Sequence, residues 1–123
     1  MSISDSEAMV MEVLWQRHPL GADEVVAHLA ERSDWAEPTV KTLLNRLLNK
    51  GAIRAERDGR RYLYSPVLER EAWVARQSEG FVERLFGGRV APLVAHFSER
   101  GKLSQADIDE LRRLIGELDD GQR

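Results

Sequence analysis

Between positions 37 and 50, small polar side chains and cations share a segment with regularly spaced leucines. The apolar residues recur at the spacing of a helix buried on one side, and they are Val40, Leu43, Leu44, Leu47 and Leu48. Helical geometry centres the opposite side on Thr42 and Asn45. Asparagine can pair with adenine through two hydrogen bonds, a threonine methyl can meet a thymine methyl, and arginine can hold phosphate or guanine. This face therefore predicts contact with DNA by Thr39, Lys41, Thr42, Asn45, Arg46 and Lys50.

A hairpin with an arginine-rich tip is predicted directly after this helix. Asp58-Gly59 suits the positive φ angles of a type I′ turn between two short strands. That turn places Arg57 opposite Arg60 at the tip. The remaining predicted pairs are Ala55 with Tyr62, Ile53 with Tyr64, and Glu56 with Arg61.

The three arginines of the tip, Arg57, Arg60 and Arg61, are predicted to contact DNA phosphates. Surface ion pairing with Glu56 and Asp58 is the alternative, and such pairs contribute little to stability. The alternative can account for Arg61, which faces Glu56 in this register. It does not account for three arginines at one tip.

Positive charge is concentrated in this part of the chain. Positions 41 to 61 hold seven basic and two acidic residues, a balance of +5, whereas the whole 123-residue chain has a formal net charge of −3. The overall acidity argues against a polycation that coats nucleic acid nonspecifically. A local basic patch is sufficient for specific binding, because the patch supplies the phosphate contacts.

Several other classes of protein are disfavoured. The absence of cysteine excludes disulfides, thiolate zinc sites and cysteine nucleophiles. His18, His28 and His96 fall in separate predicted elements without carboxylates at ligand spacing, so no metal or cofactor is expected. No phosphate loop, HExxH or nucleophile elbow indicates an enzyme. Without a membrane-length apolar run or a secretory signal, the sequence predicts a soluble cytoplasmic protein.

The predicted elements follow the order of a winged helix-turn-helix. Helices are expected at about 5–17, 22–32 and 37–50, followed by the hairpin to position 64. Three more helices are expected from about 69 to 86, from position 90 and from position 104, with a frayed tail at 119–123. The predicted fold is mainly α with a small β-hairpin. It divides into a DNA-binding domain at 1–66 and a helical dimerisation region at 67–123.

The C-terminal helices carry more large apolar groups than a piece of roughly 55 residues readily buries alone. A second copy of the chain is predicted to cover them, because symmetric dimers are the commonest oligomers and can read two half-sites. The alternative is a monomer in which these helices fold back on the winged helix. The predicted dimerisation residues are Trp73, Phe81, Leu85, Phe86, Leu93, Phe97, Leu111, Leu114, Ile115 and Leu118.

Over nearly its full length the chain resembles the penicillinase-repressor and copper-repressor family that includes BlaI, MecI and CopY. The resemblance rests on a combination of motifs that is specific only when taken together. They are Ser4-x-x-Glu7, Met11 to Trp15, Trp35, the run from Thr39 to Leu47, Lys50-Gly51, Asp58-Gly59-Arg60, Tyr64-x-Pro66, Phe81, Phe86-Gly87-Gly88, Phe97 and Leu103-Ser104.

The resemblance implies a dimeric winged-helix repressor that covers a palindromic operator and is displaced by a signal. It places Thr39 and Thr42 near bases and Arg46 on a phosphate. Similar repressors have a lysine near the start of this helix where the present chain has Pro38. The operator sequence of a relative therefore does not transfer directly.

The same resemblance concerns the signal that would displace the repressor from its operator. Copper-responsive members bind metal through a C-terminal cysteine cluster, which this chain lacks. Antibiotic-responsive members are cut at an Asn-Phe bond through a membrane metallopeptidase sensor system, and the equivalent candidate cleavage position here is His96-Phe97. Direct sensing of a small molecule is one alternative. A protein-interaction module is another, but it would predict an apolar recognition face.

Overall fold

Three helices and a hairpin occupy the first 66 residues of the computed structural model, which describes residues 1–121. Helix α1 spans Asp5–Gln16, α2 spans Ala22–Leu29 and α3 spans Glu37–Lys50. Strands β1 (Ile53–Asp58) and β2 (Arg61–Pro66) form a two-stranded antiparallel sheet. Helices α4 (Arg70–Phe86), α5 (Val90–Glu99) and α6 (Gln105–Gly121) follow. The predicted fold class, a winged helix-turn-helix followed by helices, is confirmed.

Local signals in the sequence set the ends of α1 and α3. The Ser4 hydroxyl accepts a hydrogen bond from the Glu7 backbone N–H at 3.1 Å, while the Glu7 carboxylate accepts one from the Ser4 N–H at 2.9 Å. This reciprocal cap satisfies two N–H groups that the helix leaves without partners. At the end of α3, Gly51 adopts a φ of 76°, a left-handed conformation that favours glycine.

Some observed helix ends differ from the predicted ones. Helix α2 ends at Leu29 instead of near Arg32, because the backbone N–H groups of Ala30 and Arg32 donate three residues back and the chain turns. Helix α6 continues through Gly121, so the predicted fraying is wrong for positions 119–121. The rest of that predicted tail, Gln122 and Arg123, lies outside the described residues.

The hairpin has a different register from the one predicted. Asp58 pairs with Arg61, Arg57 with Tyr62 and Ala55 with Tyr64, so the two loop residues are Gly59 and Arg60. Gly59 has a φ of 64° and Arg60 has no positive φ, which matches a type II′ loop with glycine first. The predicted type I′ turn at Asp58-Gly59 is therefore wrong, as are its pairings. The longer ladder, which extends to Ile53 and Pro66, favours the observed register.

The hydrophobic core belongs to the N-terminal of two compact units, residues 1–75. It combines side chains from α1, α2, α3 and the hairpin with Leu68. A short backbone bridge between Leu20 and Tyr64 ties β2 to the turn between α1 and α2, with N–H···O distances of 2.8 and 3.1 Å. The hairpin is thus held on both its apolar face and its backbone edge, which fixes its base relative to α3.

The second compact unit begins at Arg76 and is described as far as Gly121. In its described part, the remainder of α4 together with α5 and α6 contains no fully buried residue. Leu85, Ile115 and Leu118 are 63%, 59% and 64% exposed. The first compact unit ends at Ala75. The predicted boundary at Pro66, between a DNA-binding domain and a dimerisation region, stays a prediction. No helix among residues 1–121 is both long and apolar enough to cross a membrane.

Candidate nucleic-acid interface

Helix α3 presents one buried side and one polar side, as its leucine spacing predicts. Val40, Leu43, Leu44 and Leu47 are buried in the core. The polar residues predicted to contact DNA are all exposed, and they are Thr39, Lys41, Thr42, Asn45, Arg46 and Lys50. The core side therefore fixes the orientation of the helix, and the polar side remains accessible to a large ligand.

The Thr42 side chain is already engaged within α3. Its hydroxyl donates a 3.0 Å hydrogen bond to the carbonyl of Pro38, one turn earlier. The hydroxyl proton is therefore occupied, while the methyl group and the oxygen lone pairs remain for recognition. Asn45, one turn later, is exposed and carries both amide donors and an acceptor.

The cations of this region fall into two groups. Lys41 lies 3.3 Å from Glu37 on α3, and Arg61 lies 3.3 Å from Glu24 and 3.8 Å from Asp23 on α2. The sequence predicted a phosphate contact for Arg61, with an ion pair to Glu56 as the alternative. In the observed register Arg61 lies opposite Asp58, and its carboxylate partners are on α2. Within residues 1–121, no carboxylate lies at ion-pair distance from Arg46, Arg57 or Arg60, so these three cations remain available for phosphates.

The hairpin of β1 and β2 is the wing of this fold, and its tip contains an aromatic residue that was not selected from the sequence. The Arg57 guanidinium lies over the Tyr62 ring, 5.9 Å from its centroid, and the Arg57 Nε donates to the Gly59 carbonyl at 3.2 Å. These contacts hold the side chain of Arg57 in place without neutralising it. Tyr62 is 51% exposed, and the observed pairing of Arg57 with Tyr62 would have identified it.

Lys50 has a structural contact that the sequence did not predict. Its Nζ donates to the Glu7 Oε1 at 2.6 Å and to the Ser2 carbonyl at 2.8 Å. Glu7 is only 2% exposed, and its Oε2 has no hydrogen-bond partner among the described residues. Burial alone would raise the pKa of Glu7, but the hydrogen bonds from Lys50 and Ser4 outweigh it and lower that pKa. The geometry favours Lys50 as a link between α3 and α1; its assignment to DNA stays a prediction.

The remaining predicted site residues lie in two places. Trp73 packs against the core of the N-terminal unit, with its ring centroid 5.6 Å from that of Trp15, so its partial burial needs no second copy. His96 and Phe97, the candidate cleavage residues, lie inside α5 with ring centroids 5.5 Å apart. Both are exposed on that helix. The other predicted dimerisation residues are on α4, α5 and α6.

Comparison with known proteins gives a consistent result along the chain. A protein-family model described as penicillinase repressor matches residues 3–117. The penicillinase repressor of Bacillus licheniformis is 33% identical over 115 residues, which cover 94% of this chain and 90% of that protein. The methicillin resistance regulatory protein MecI of Staphylococcus aureus (strain N315) is 30% identical over 113 residues, or 92% of each chain.

Solved structures agree with this result. The DNA-binding domain of the repressor BlaI has a TM-score of 0.52 and 36% identity, covering 56% of this chain and 84% of that one. The monomeric form of Bacillus licheniformis BlaI in complex with the blaP half-operator has a TM-score of 0.50 and 35% identity, covering 58% and 87%. The chain therefore belongs to the penicillinase-repressor family of winged-helix repressors.

Proposed function

We propose that the chain is a sequence-specific transcriptional repressor that binds a palindromic operator as a homodimer, with α3 in the major groove. The observation that carries the proposal is the exposed polar face of α3 beside Arg57 and Arg60, which have no carboxylate at ion-pair distance within residues 1–121. The BlaI relative has been solved on a half-operator, which supports the same use of this domain. Because a repressor must reach chromosomal DNA, the proposal includes a cytoplasmic location.

The polar character of the α3 face also separates this function from a protein-docking one. A winged helix that binds another protein through α3 would present apolar groups there. Thr42 and Asn45 instead offer hydrogen-bonding groups of the kind that read base edges, and Arg46 is an exposed cation that can hold a phosphate. DNA is therefore the ligand that this surface fits.

Asn45→Ala is expected to weaken operator binding by about 1–3 kcal/mol and to relax specificity at one base pair, because a base-reading amide is lost. Binding to a scrambled duplex should change little. Asn49→Ala is the matched control, because Asn49 is an exposed asparagine one turn later on α3 and is not among the residues predicted to contact DNA. Competition binding with singly substituted operators measures both effects, and equal losses on operator and scrambled DNA would contradict the assignment.

Dimerisation is proposed to use the exposed apolar residues of α4, α5 and α6. In the described part of the second unit, these helices bury no residue fully, and Leu85, Ile115 and Leu118 are more than half exposed. Removing exposed apolar surface of this kind from water is favourable. A second copy of the chain supplies a matching apolar surface by symmetry.

Ile115→Glu should weaken the dimer by about 10²- to 10⁴-fold, since a symmetric interface loses two buried aliphatic side chains of about 1.5–3 kcal/mol each. The matched control is Val67→Glu, because Val67 is an aliphatic residue, 53% exposed, in the N-terminal unit. Sedimentation equilibrium measures the dissociation constant. A wild-type chain that remains at 14.0 kDa at all concentrations would contradict the dimer.

Relief of repression is proposed to follow cleavage at His96-Phe97 by a membrane metallopeptidase sensor system that responds to a cell-wall antibiotic. The bond lies inside α5, and peptidases commonly bind their substrates as extended strands. Cleavage therefore requires α5 to open locally, which an element without fully buried residues permits at low cost. Coexpression with the activated peptidase should yield an N-terminal fragment ending at His96, and an intact chain would reject this route.

A further inference from the structure

A groove of about 160 Å³ lies between the start of α2, the first turns of α3 and the wing. Three cations and two carboxylates line it: Lys41, Arg60, Arg61, Asp23 and Glu37. All of these side chains are exposed, so the groove is open to solvent and to a ligand that approaches α3. It therefore lies on the surface that the proposed function assigns to DNA.

Two of the three cations are already paired with carboxylates of the same chain. Lys41 is 3.3 Å from Glu37, and Arg61 is 3.8 Å from Asp23. Arg61 also lies 3.3 Å from Glu24, whose carboxylate accepts a 3.0 Å hydrogen bond from the Gly21 N–H and is thereby fixed at the start of α2. Arg60 has no carboxylate at ion-pair distance within residues 1–121.

These pairs are weak enough to exchange. Each involves side chains that are about half exposed, between 40% and 66%, and exposed ion pairs contribute little net stability. A phosphodiester group carries the same single negative charge as each carboxylate it would replace. Binding it there would release condensed counterions from the DNA, whereas the intramolecular pairs release none.

We propose that this groove binds one backbone phosphate of the DNA and that Asp23 and Glu37 compete with that phosphate for Arg61 and Lys41. The inference rests on the proposed function and deepens it, because it assigns to two acidic residues the role of attenuating DNA affinity. Both carboxylates repel phosphate and hold the cations that would bind it. They therefore weaken binding to every DNA sequence and leave base readout by Thr42 and Asn45 unchanged.

The test measures the affinity of full-length Asp23→Asn and Glu37→Gln variants for a duplex of scrambled sequence and for the region upstream of the gene. Each variant should bind both duplexes about two- to fivefold more tightly, because an exposed competing pair is removed. The salt dependence should steepen by about 0.9 in log–log slope for each additional phosphate that the variant neutralises. Glu31→Gln is the matched control, since Glu31 is an exposed acid outside this groove.

A double-mutant cycle separates competition from a merely structural role. The tightening caused by Asp23→Asn should become smaller in the Arg61→Gln background, because the competition for Arg61 is then lost and only the repulsion between Asp23 and the phosphate remains. Weaker binding by Asp23→Asn would show that the Arg61 pair instead holds the wing in its binding position, and it would overturn the inference. The same increase in affinity for Glu31→Gln would also overturn it. A wild-type chain that binds neither duplex would instead reject the proposed function.

Discussion

Lys50→Met is expected to lower the free energy of unfolding by about 2–3 kcal/mol, because it leaves Glu7 buried without its cation. Removing one partner of a fully buried pair costs about 3–5 kcal/mol, and Lys50 is about a third exposed, so the smaller figure applies. Urea denaturation measures the change. Lys41→Met is the matched control, because the exposed Lys41–Glu37 pair should contribute only a few tenths of a kcal/mol. Equal losses would contradict the role of Lys50.

The same contact gives stability a defined dependence on pH. The pKa of Glu7 is lower in the folded chain than its ordinary value of 4.5, so folding favours the charged form. The stabilisation is present above the ordinary value and is lost as pH falls through the lower folded-state pKa. Glu7→Gln removes this titration, so the stability of that variant should fall less steeply than wild type below about pH 4.5.

The second large effect is expected at the wing tip. Arg57→Ala combined with Arg60→Ala removes two cations that have no carboxylate at ion-pair distance in the part of the chain that the structure describes. Charge-assisted contacts contribute about 1.5–3 kcal/mol each, so DNA affinity should fall by about 10²-fold or more. The slope of log K against log salt should lose about 0.9 for each phosphate contact removed.

The matched control for the wing variant is Arg54→Ala. Arg54 lies in the same hairpin but is 3.9 Å from Glu56, and it is not among the residues assigned to DNA. The wing variant should lose affinity for operator and scrambled DNA alike, because phosphate contacts carry no sequence information. A selective loss on the operator would show that the wing arginines read bases. An unchanged salt slope would remove them from the interface.

The sequence predicts those features that are set by local periodicity and capping. The leucine spacing in α3 identifies both its buried side and its exposed side, and Gly51 identifies its end. The capping box at Ser4 and Glu7 marks the start of α1. These features were predictable because each depends on residues within a few positions of one another.

Features that depend on contacts between distant segments were not predictable in the same way. Asp58-Gly59 is a favourable turn pair, but the ladder from Ile53 to Pro66 places the loop one residue later, at Gly59-Arg60. That shift turns Arg61 towards α2 and sets Tyr62 beside Arg57. A register is decided by the whole ladder and its packing, and turn propensity is only one contribution.

Charge counting has a similar limit. The local balance of +5 counts seven basic residues without regard to their partners, whereas four of them have a carboxylate partner in the fold: Lys41, Lys50, Arg54 and Arg61. Lys50 and Glu7 are 43 positions apart in the chain, so no local pattern links them. Among residues 1–121, the predicted DNA-contacting cations without a carboxylate at ion-pair distance are therefore Arg46, Arg57 and Arg60.

The most direct test of the central claim is the salt dependence of binding by the wild-type protein to the region upstream of its own gene and to a scrambled duplex of equal length. If the proposed dimer neutralises roughly 6–10 phosphates, affinity should fall by about 10³- to 10⁵-fold between 50 and 200 mM salt. The upstream region should be preferred at every salt concentration. A flat salt response, or equal affinity for the two duplexes, would contradict a sequence-specific DNA-binding repressor.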